Sequence, residues 1–326
     1  TSVIVIPGGG TFGMEAIARQ FADNKKCLVI RNGWFSYRWS QILDQGRIAA
    51  ETKVMKAKRD QKNRDAAFSP ANIKDVVKQI ETMKPDVVFS PHVETSAGML
   101  IPDNYIQEVS AATHSVGGLF VLDCVASGAL WVDMKKTGVD VLLSAPQKGW
   151  SSSPCSGLVM LSKTASERIR KTQSSSYVCD LLKWLQIMEA YENGSHAYHS
   201  TMPTDSLAKF RDTLVETEQY GFEKTRQEQI DLGQRVRTLL EEKGFKSVAA
   251  EGFQAPSVVV SYTDNPDIKS GKSFMEQGLQ IAAGVPLQCD EPDGFMTFRL
   301  GLFGLDKLYD VPASLERLKS AIDKVL

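Results

Sequence analysis

Ser144-Ala145-Pro146-Gln147-Lys148-Gly149-Trp150 is the stretch whose reading decides the fold. An apolar run at 139–143 ends in a small-residue turn that presents one lysine, and a Ser/Gly/Pro-rich segment follows. A lysine delivered by a strand end into a crowded, partly apolar pocket is suited to Schiff-base chemistry. Desolvation disfavours its ammonium form and leaves a nucleophilic amine. Taken alone, Lys148 reads as an ordinary loop lysine; the rest of the chain is what argues otherwise.

The surrounding composition narrows the classes. The chain has 326 residues, 42% hydrophobic and 24% charged, which predicts about two domains with a large core. A net charge of −1 gives no electrostatic reason to expect nucleic acid or an anionic membrane as partner. No apolar run approaches the length of a membrane span. Thr1-Ser2-Val3-Ile4-Val5-Ile6 lacks a basic leader and is expected to be a strand rather than a secretory signal. The five cysteines (Cys27, Cys124, Cys155, Cys179, Cys289) form no CxxC pair. That argues against a disulfide framework or a zinc site and makes a reducing cytoplasm the expected compartment.

Outward from the lysine, short apolar strands alternate with helices. Strands are expected at 3–6, 27–30, 51–56, 86–90, 119–123, 139–144 and 157–161. Helices are expected from Met14, from an aromatic cluster (Trp34, Phe35, Tyr37, Trp39) to about Ala50, and at 73–83 and 105–114. Residues 58–67 read as a charged connection. The alternation predicts an α/β fold, a mostly parallel sheet covered by helices on both faces. From 205 to 243 one or two long amphipathic helices follow, then a smaller α+β segment with strands at 258–261 and 298–301 and a final helix from about Ala313. Two domains are expected, 1–220 and 221–326.

Gly8-x-Gly10-x-x-Gly13, after a strand and before a helix, predicts an anion site. The dinucleotide reading wants an acidic residue at the end of the second strand, where Arg31 and Asn32 stand instead. An arginine there could favour a 2′-phosphate, which keeps an NADP-dependent oxidoreductase in view. A single phosphate, such as that of pyridoxal 5′-phosphate (PLP), fits equally. Ligands of open parallel sheets sit at the carboxyl ends of the strands. There the sequence offers Gly10-Thr11-Phe12, Phe35, Thr95, Asp123 with Val125, and Gln147-Lys148. A phosphate cradle, a stacking aromatic, a carboxylate for a protonated ring nitrogen and a lysine for the aldehyde together meet the needs of PLP. Hydride transfer has no comparable need for the lysine and the strand-end aspartate at once.

Several motifs in order then make the chain resemble the class V aminotransferases of fold type I, most similar to the alanine/serine–glyoxylate (pyruvate) aminotransferases. They are 9–16 (Gly-Gly-Thr-Phe-Gly-Met-Glu-Ala), Asn32-Gly33-Trp34-Phe35, 92–98 (His-Val-Glu-Thr-Ser-Ala-Gly), Asp123-Cys124-Val125-Ala126-Ser127, Ser144 to Lys148, Tyr198-His199-Ser200-Thr201 and Arg299-Leu300-Gly301-Leu302. The resemblance runs from residue 1 to the C-terminus and implies a large PLP-binding domain with a smaller C-terminal one. It implies that Lys148 is the Schiff-base lysine and proton shuttle, and that Asp123 pairs with the pyridinium nitrogen. Phe35, or its neighbour Trp34, would stack on the ring, with Val125 on its other face and Thr95 near the ring hydroxyl. Gly10, Thr11, Phe12 and Gln147 would hold the phosphate region. Tyr198 and Thr201 would reach the coenzyme of a partner subunit, which implies a homodimer with shared sites. Arg299 would clamp the substrate α-carboxylate. The implied reaction moves an amino group from a small amino acid to a 2-oxo acid such as glyoxylate or pyruvate. The resemblance also implies a further segment ahead of the glycine loop, which lines the pocket and which this sequence does not carry.

Two side issues complete the reading. A cysteine-desulfurase-like lyase on the same fold would need a mobile thiol, for which Cys289 is the candidate, although its acidic neighbours would raise its pKa. A non-enzymatic binding protein on the same fold is the remaining alternative. His196 and His199 have metal-like spacing with no acidic companion, so no metal is expected, and His92 is expected to support the site rather than react.

Overall fold

A computed structural model describes residues 2–60 and 63–325. Thr1 of the expected first strand, the centre of the expected 58–67 connection and Leu326 lie outside the described residues. In chain order the first half runs β1 (Ser2–Pro7), α1 (Gly10–Phe21), β2 (Lys26–Arg31), α2 (Trp34–Gln45), β3 (Glu51–Lys56), α3 (Ile73–Met83), β4 (Val87–Pro91), β5 (Val93–Glu94), β6 (Met99–Leu100), α4 (Asp103–Ser115), β7 (Leu119–Asp123), α5 (Met134–Thr137), β8 (Val141–Ser144) and β9 (Ser156–Leu161). Helices α6 (Lys163–Ile169), α7 (Leu181–Glu192), α8 (Thr204–Tyr220) and α9 (Phe222–Glu242) follow. The chain closes with β10 (Val258–Tyr262), α10 (Pro266–Ser270), α11 (Lys272–Met275), β11 (Ala282–Ala283), β12 (Thr297–Gly301), α12 (Leu305–Leu308) and α13 (Val311–Val325).

Seven strands form the large sheet in the order β1-β9-β8-β7-β4-β2-β3. Its pairings are parallel from β8 through β3, and β9 runs against both of its neighbours. The strand alternation sorts side chains into two layers. Along β2, Cys27 and Val29 join one apolar cluster while Leu28 and Ile30 join the other; along β7, Leu119 and Val121 separate from Phe120 and Leu122 in the same way. Both faces are therefore covered: α1 and α7 on one, α3 and α4 on the other. A three-stranded sheet, β10-β12-β11, carries the C-terminal part and packs against α9 and α13.

Two expectations are corrected and one helix is added. Helix α1 begins at Gly10, inside the glycine loop, not at Met14, because glycine at N-cap and N1 needs no apolar partner to enter the helix. The aromatic cluster lies within α2, which ends at Gln45; only Trp39 of the four is fully buried. Helix α7 is missing from the sequence reading altogether. Its Trp184 and Leu185 are core residues and its N-cap, Asp180, accepts a hydrogen bond from Lys183 N at 3.1 Å. Among the described residues no helix is long and apolar enough to cross a membrane.

Candidate active site

The carboxyl ends of the parallel strands converge on one cavity of about 450 Å³. Strand β7 delivers Asp123, the loop after β8 delivers Gln147 and Lys148, and β1 leads through Gly8 and Gly9 into α1. The β5–β6 hairpin contributes Val93 and Thr95, and α2 contributes Phe35 and Arg38. The wall thus brings together Gly10, Thr11, Phe12, Phe35, Thr95, Asp123, Val125, Gln147 and Lys148, along with Gly8, Gly9, Met14, Arg38, Pro91 and Ala126. Trp34 is not part of the wall; its ring lies 5.9 Å from that of Tyr37.

Asp123 is 9% exposed, and its carboxylate accepts one hydrogen bond, from Val125 N at 3.0 Å. Burial is the main influence and pushes it up to about 6, with the Val125 N–H pulling the other way. Lys148 is half-buried, with Nζ 5.2 Å from the centre of the Phe303 ring. Desolvation first, and the charge of Arg299 second, hold its amine below the usual lysine range. His92 supports Asp123 from behind: its backbone N–H donates to the Asp123 backbone carbonyl at 2.8 Å, and its ring Nδ1 lies 2.7 Å from Ser127 Oγ. Burial holds the imidazole down to about 4, so it is neutral at working pH.

The remaining wall is built for an anion and a flat ring. Helix α1 has no side-chain cap and no acidic residue in its first turn, so its leading N–H groups face the cavity end without an intrahelical acceptor. A Cβ on Gly10 would stand 2.8 Å from Val125 Cγ2, so glycine lets the helix start close against that valine. Gln147 Oε1 is buried without a hydrogen-bond partner among the described residues. The Phe35 ring is flanked by two guanidinium groups, Arg38 at 5.2 Å and Arg299 at 5.6 Å from its centre. A buried carboxylate without a cation, a glycine-framed helix start and an amine held below the usual lysine range suit PLP, which has a pyridinium, a phosphate and an aldehyde to offer them.

The backbone that presents Phe35 is held by a residue outside the wall. Glu94 is fully buried and accepts hydrogen bonds from Phe35 N at 3.1 Å, Ser36 N at 2.8 Å and Ser36 Oγ at 2.7 Å. It also accepts from Ser96 N at 3.2 Å and Ser96 Oγ at 2.7 Å. One carboxylate thus joins the start of α2 to the hairpin that bears Thr95.

Other residues named from sequence lie apart. Arg299, on β12, is not in the wall; its Nε donates to the Ala283 carbonyl at 2.8 Å. Tyr198 is 80% exposed, with Oη 3.5 Å from Thr201 Oγ1, and neither residue lines the cavity of its own chain. His199 Nε2 donates to the Tyr177 carbonyl at 2.8 Å. Arg31 is turned from the glycine loop: it donates to Gln288 O and Ser40 Oγ and lies over the Tyr37 ring, so it is not placed to take a 2′-phosphate. Cys289 is 4% exposed, and its thiol donates to the Arg31 carbonyl at 3.4 Å. Burial pushes it up to about 12, so it is not a mobile nucleophile. Arg38 was overlooked. The available signal was its spacing of three from Phe35 on one helix, which sets both on one face.

Comparison with known proteins agrees with this geometry. Residues 1–293 match the class V aminotransferase family. A 2-aminoethylphosphonate–pyruvate transaminase of Vibrio vulnificus is 26% identical, over 99% of this chain and 83% of its own length. An alanine–glyoxylate aminotransferase of Callithrix jacchus is 26% identical, over 92% of this chain and 70% of its own. In structure, an alanine–glyoxylate aminotransferase from Nostoc sp. superposes with a TM-score of 0.81, covering 99% of this chain and 81% of that one at 21% identity. The chain belongs to the class V aminotransferases, a PLP-dependent family of fold type I.

Proposed function

We propose that this chain transfers the amino group of a small donor, of the alanine, serine or 2-aminoethylphosphonate type, to glyoxylate or pyruvate. The observation that carries the reading is the meeting of an amine below its usual range, an unpaired buried carboxylate and a free helix N-terminus around one cavity, with a guanidinium at its edge. The names of the relatives supply the donor and acceptor classes.

When bound, PLP supplies an aldehyde that exchanges amines and a ring that delocalises the charge left when Cα loses a proton. Lys148 would hold the coenzyme through its Nζ, and its amine, held below the usual lysine range, would take a proton from the substrate's Cα and give one back. Asp123 would pair with the ring nitrogen and keep it protonated. Phe35 and Val125 would enclose the ring, with Thr95 near its hydroxyl. Gly10, Thr11, Phe12 and Gln147 would hold the phosphate. Arg299 receives the substrate's anionic end, and its guanidinium keeps charge even where burial opposes it.

The working unit in this reading is a homodimer in which Tyr198 and Thr201 complete the partner's site. The exposure of Tyr177, Tyr191 and Tyr198, three large rings on one stretch of chain, supports it. A reducing cytoplasm belongs to the same reading, supported by five free, buried cysteines.

The test is the visible absorption of the PLP-loaded protein. Adding L-alanine, L-serine or 2-aminoethylphosphonate should bleach the coenzyme band, and glyoxylate or pyruvate should restore it, with both changes absent in Lys148→Ala. A band unmoved by every donor would overturn the assignment; sulfide release from L-cysteine would replace it with the lyase.

A further inference from the structure

We propose that Arg38 is the cation that balances the coenzyme's phosphate, an inference that rests on the PLP site argued above. The cavity wall carries two cations, Arg38 and Lys148, and one carboxylate, Asp123. Lys148 is spent on the aldehyde and Asp123 on the ring nitrogen. A phosphate monoester brings a charge of about −1.5 to −2 at neutral pH, and the N-terminus of α1 offers only about half a positive charge. Arg38 is the remaining full charge on the wall.

Its placement matches that task. Arg38 Nη1 donates to Thr11 Oγ1 at 2.9 Å, and Thr11 is the second residue of α1, beside the helix's uncapped N–H groups. No carboxylate stands within ion-pairing distance of Arg38 among the described residues. The guanidinium is also steadied by the face of Phe35, 5.2 Å away. A planar fork can keep one arm on Thr11 and turn a second N–H toward a phosphate oxygen, which a lysine ammonium cannot do with the same geometry. Arg299, the other guanidinium at this ring, is anchored on the Ala283 carbonyl and lies outside the wall.

The test separates charge recognition from packing. Apoprotein is titrated with PLP and with pyridoxal, which lacks the phosphate, following coenzyme absorbance for wild type, Arg38→Gln and Arg38→Lys. Arg38→Gln should weaken PLP about 10- to 100-fold and leave pyridoxal within about twofold, erasing most of the preference for the phosphorylated form. Arg38→Lys should recover part of that preference, and the recovered part should shrink as salt rises. Equal weakening of both ligands by Arg38→Gln would reduce Arg38 to a support for Phe35 and overturn the proposal, as would unchanged PLP affinity. Wild-type protein that fails to bind PLP at all would instead sink the underlying reading of the site.

Discussion

At Asp123 the folded chain holds a carboxylate below the surface with a single hydrogen bond, from Val125 N–H. Its pKa stands at about 6 against an ordinary 3.8. Between those values the folded state keeps a proton that the unfolded state has lost, so stability falls as pH rises through the window. Above about 6 the full penalty applies, roughly 3 kcal/mol for a shift of this size. Asp123→Asn, which can still accept from Val125, should therefore make the apoprotein more stable to urea at pH 7 to 8 by about 1 to 3 kcal/mol. The gain should fade toward pH 4, and the variant should bind PLP less well. A variant no more stable than wild type at pH 8 would show that Asp123 finds a cation without the coenzyme. This residue was legible in sequence because it closes an apolar strand. Arg38 was not, since an arginine on an amphipathic helix looks like any solvated residue until the fold shows what stands across from it.

Among the elements, the start of α2 is the most heavily secured. Five hydrogen bonds converge on Glu94 from the first turn of α2 and from Ser96, so removing its carboxylate strands several buried donors. Glu94→Gln turns an amide N–H₂ toward those donors and should cost about 2 to 4 kcal/mol in urea unfolding. It should also weaken PLP binding, because Phe35 rides on the same turn. An unchanged unfolding midpoint would contradict the structural role given to Glu94. Helix α3 was read to the residue, because Val76, Ile80 and Met83 mark one face and Asn72 caps it by accepting from Lys74 N at 3.0 Å. Helix α7 went unread because it follows a serine-rich tract and its apolar residues crowd more than one face, which blurs the period. The long helical stretch divides at Gly221, whose φ of 104° lies where glycine is at home. We carry the division between 1–220 and 221–326 as a proposal supported by that break and by the distinct three-stranded C-terminal sheet.

On the scale of the whole molecule, the proposed shared-site dimer makes a prediction that no single chain can satisfy. Lys148→Ala and a Tyr198→Phe/Thr201→Val double variant should each be poor enzymes. Unfolded together and refolded as a mixture, they should regain activity, because one kind of heterodimer contains one site free of both changes. Turnover that stays at the sum of the parents would rule out contributions across the interface. The parallel core of the sheet was legible, since strand and helix periods alternate in order. The reversal of β9 was not, because a period of two reads the same in both directions.

That reversal has a consequence for how the protein is made. Among the described residues strand β1 pairs with β9 alone, Ser2 opposite Leu161 and Pro7 opposite Ser156. A chain leaving the ribosome N-terminus first carries β1 without a neighbour until β9 has been synthesised, and contacts of such sequence separation form slowly. Helix α1, joined to β1 through Gly8 and Gly9, waits with it. Completion of the coenzyme cavity is thus a late event in the life of the nascent chain, tied to the emergence of a strand that lines no part of that cavity but braces the glycine loop from behind.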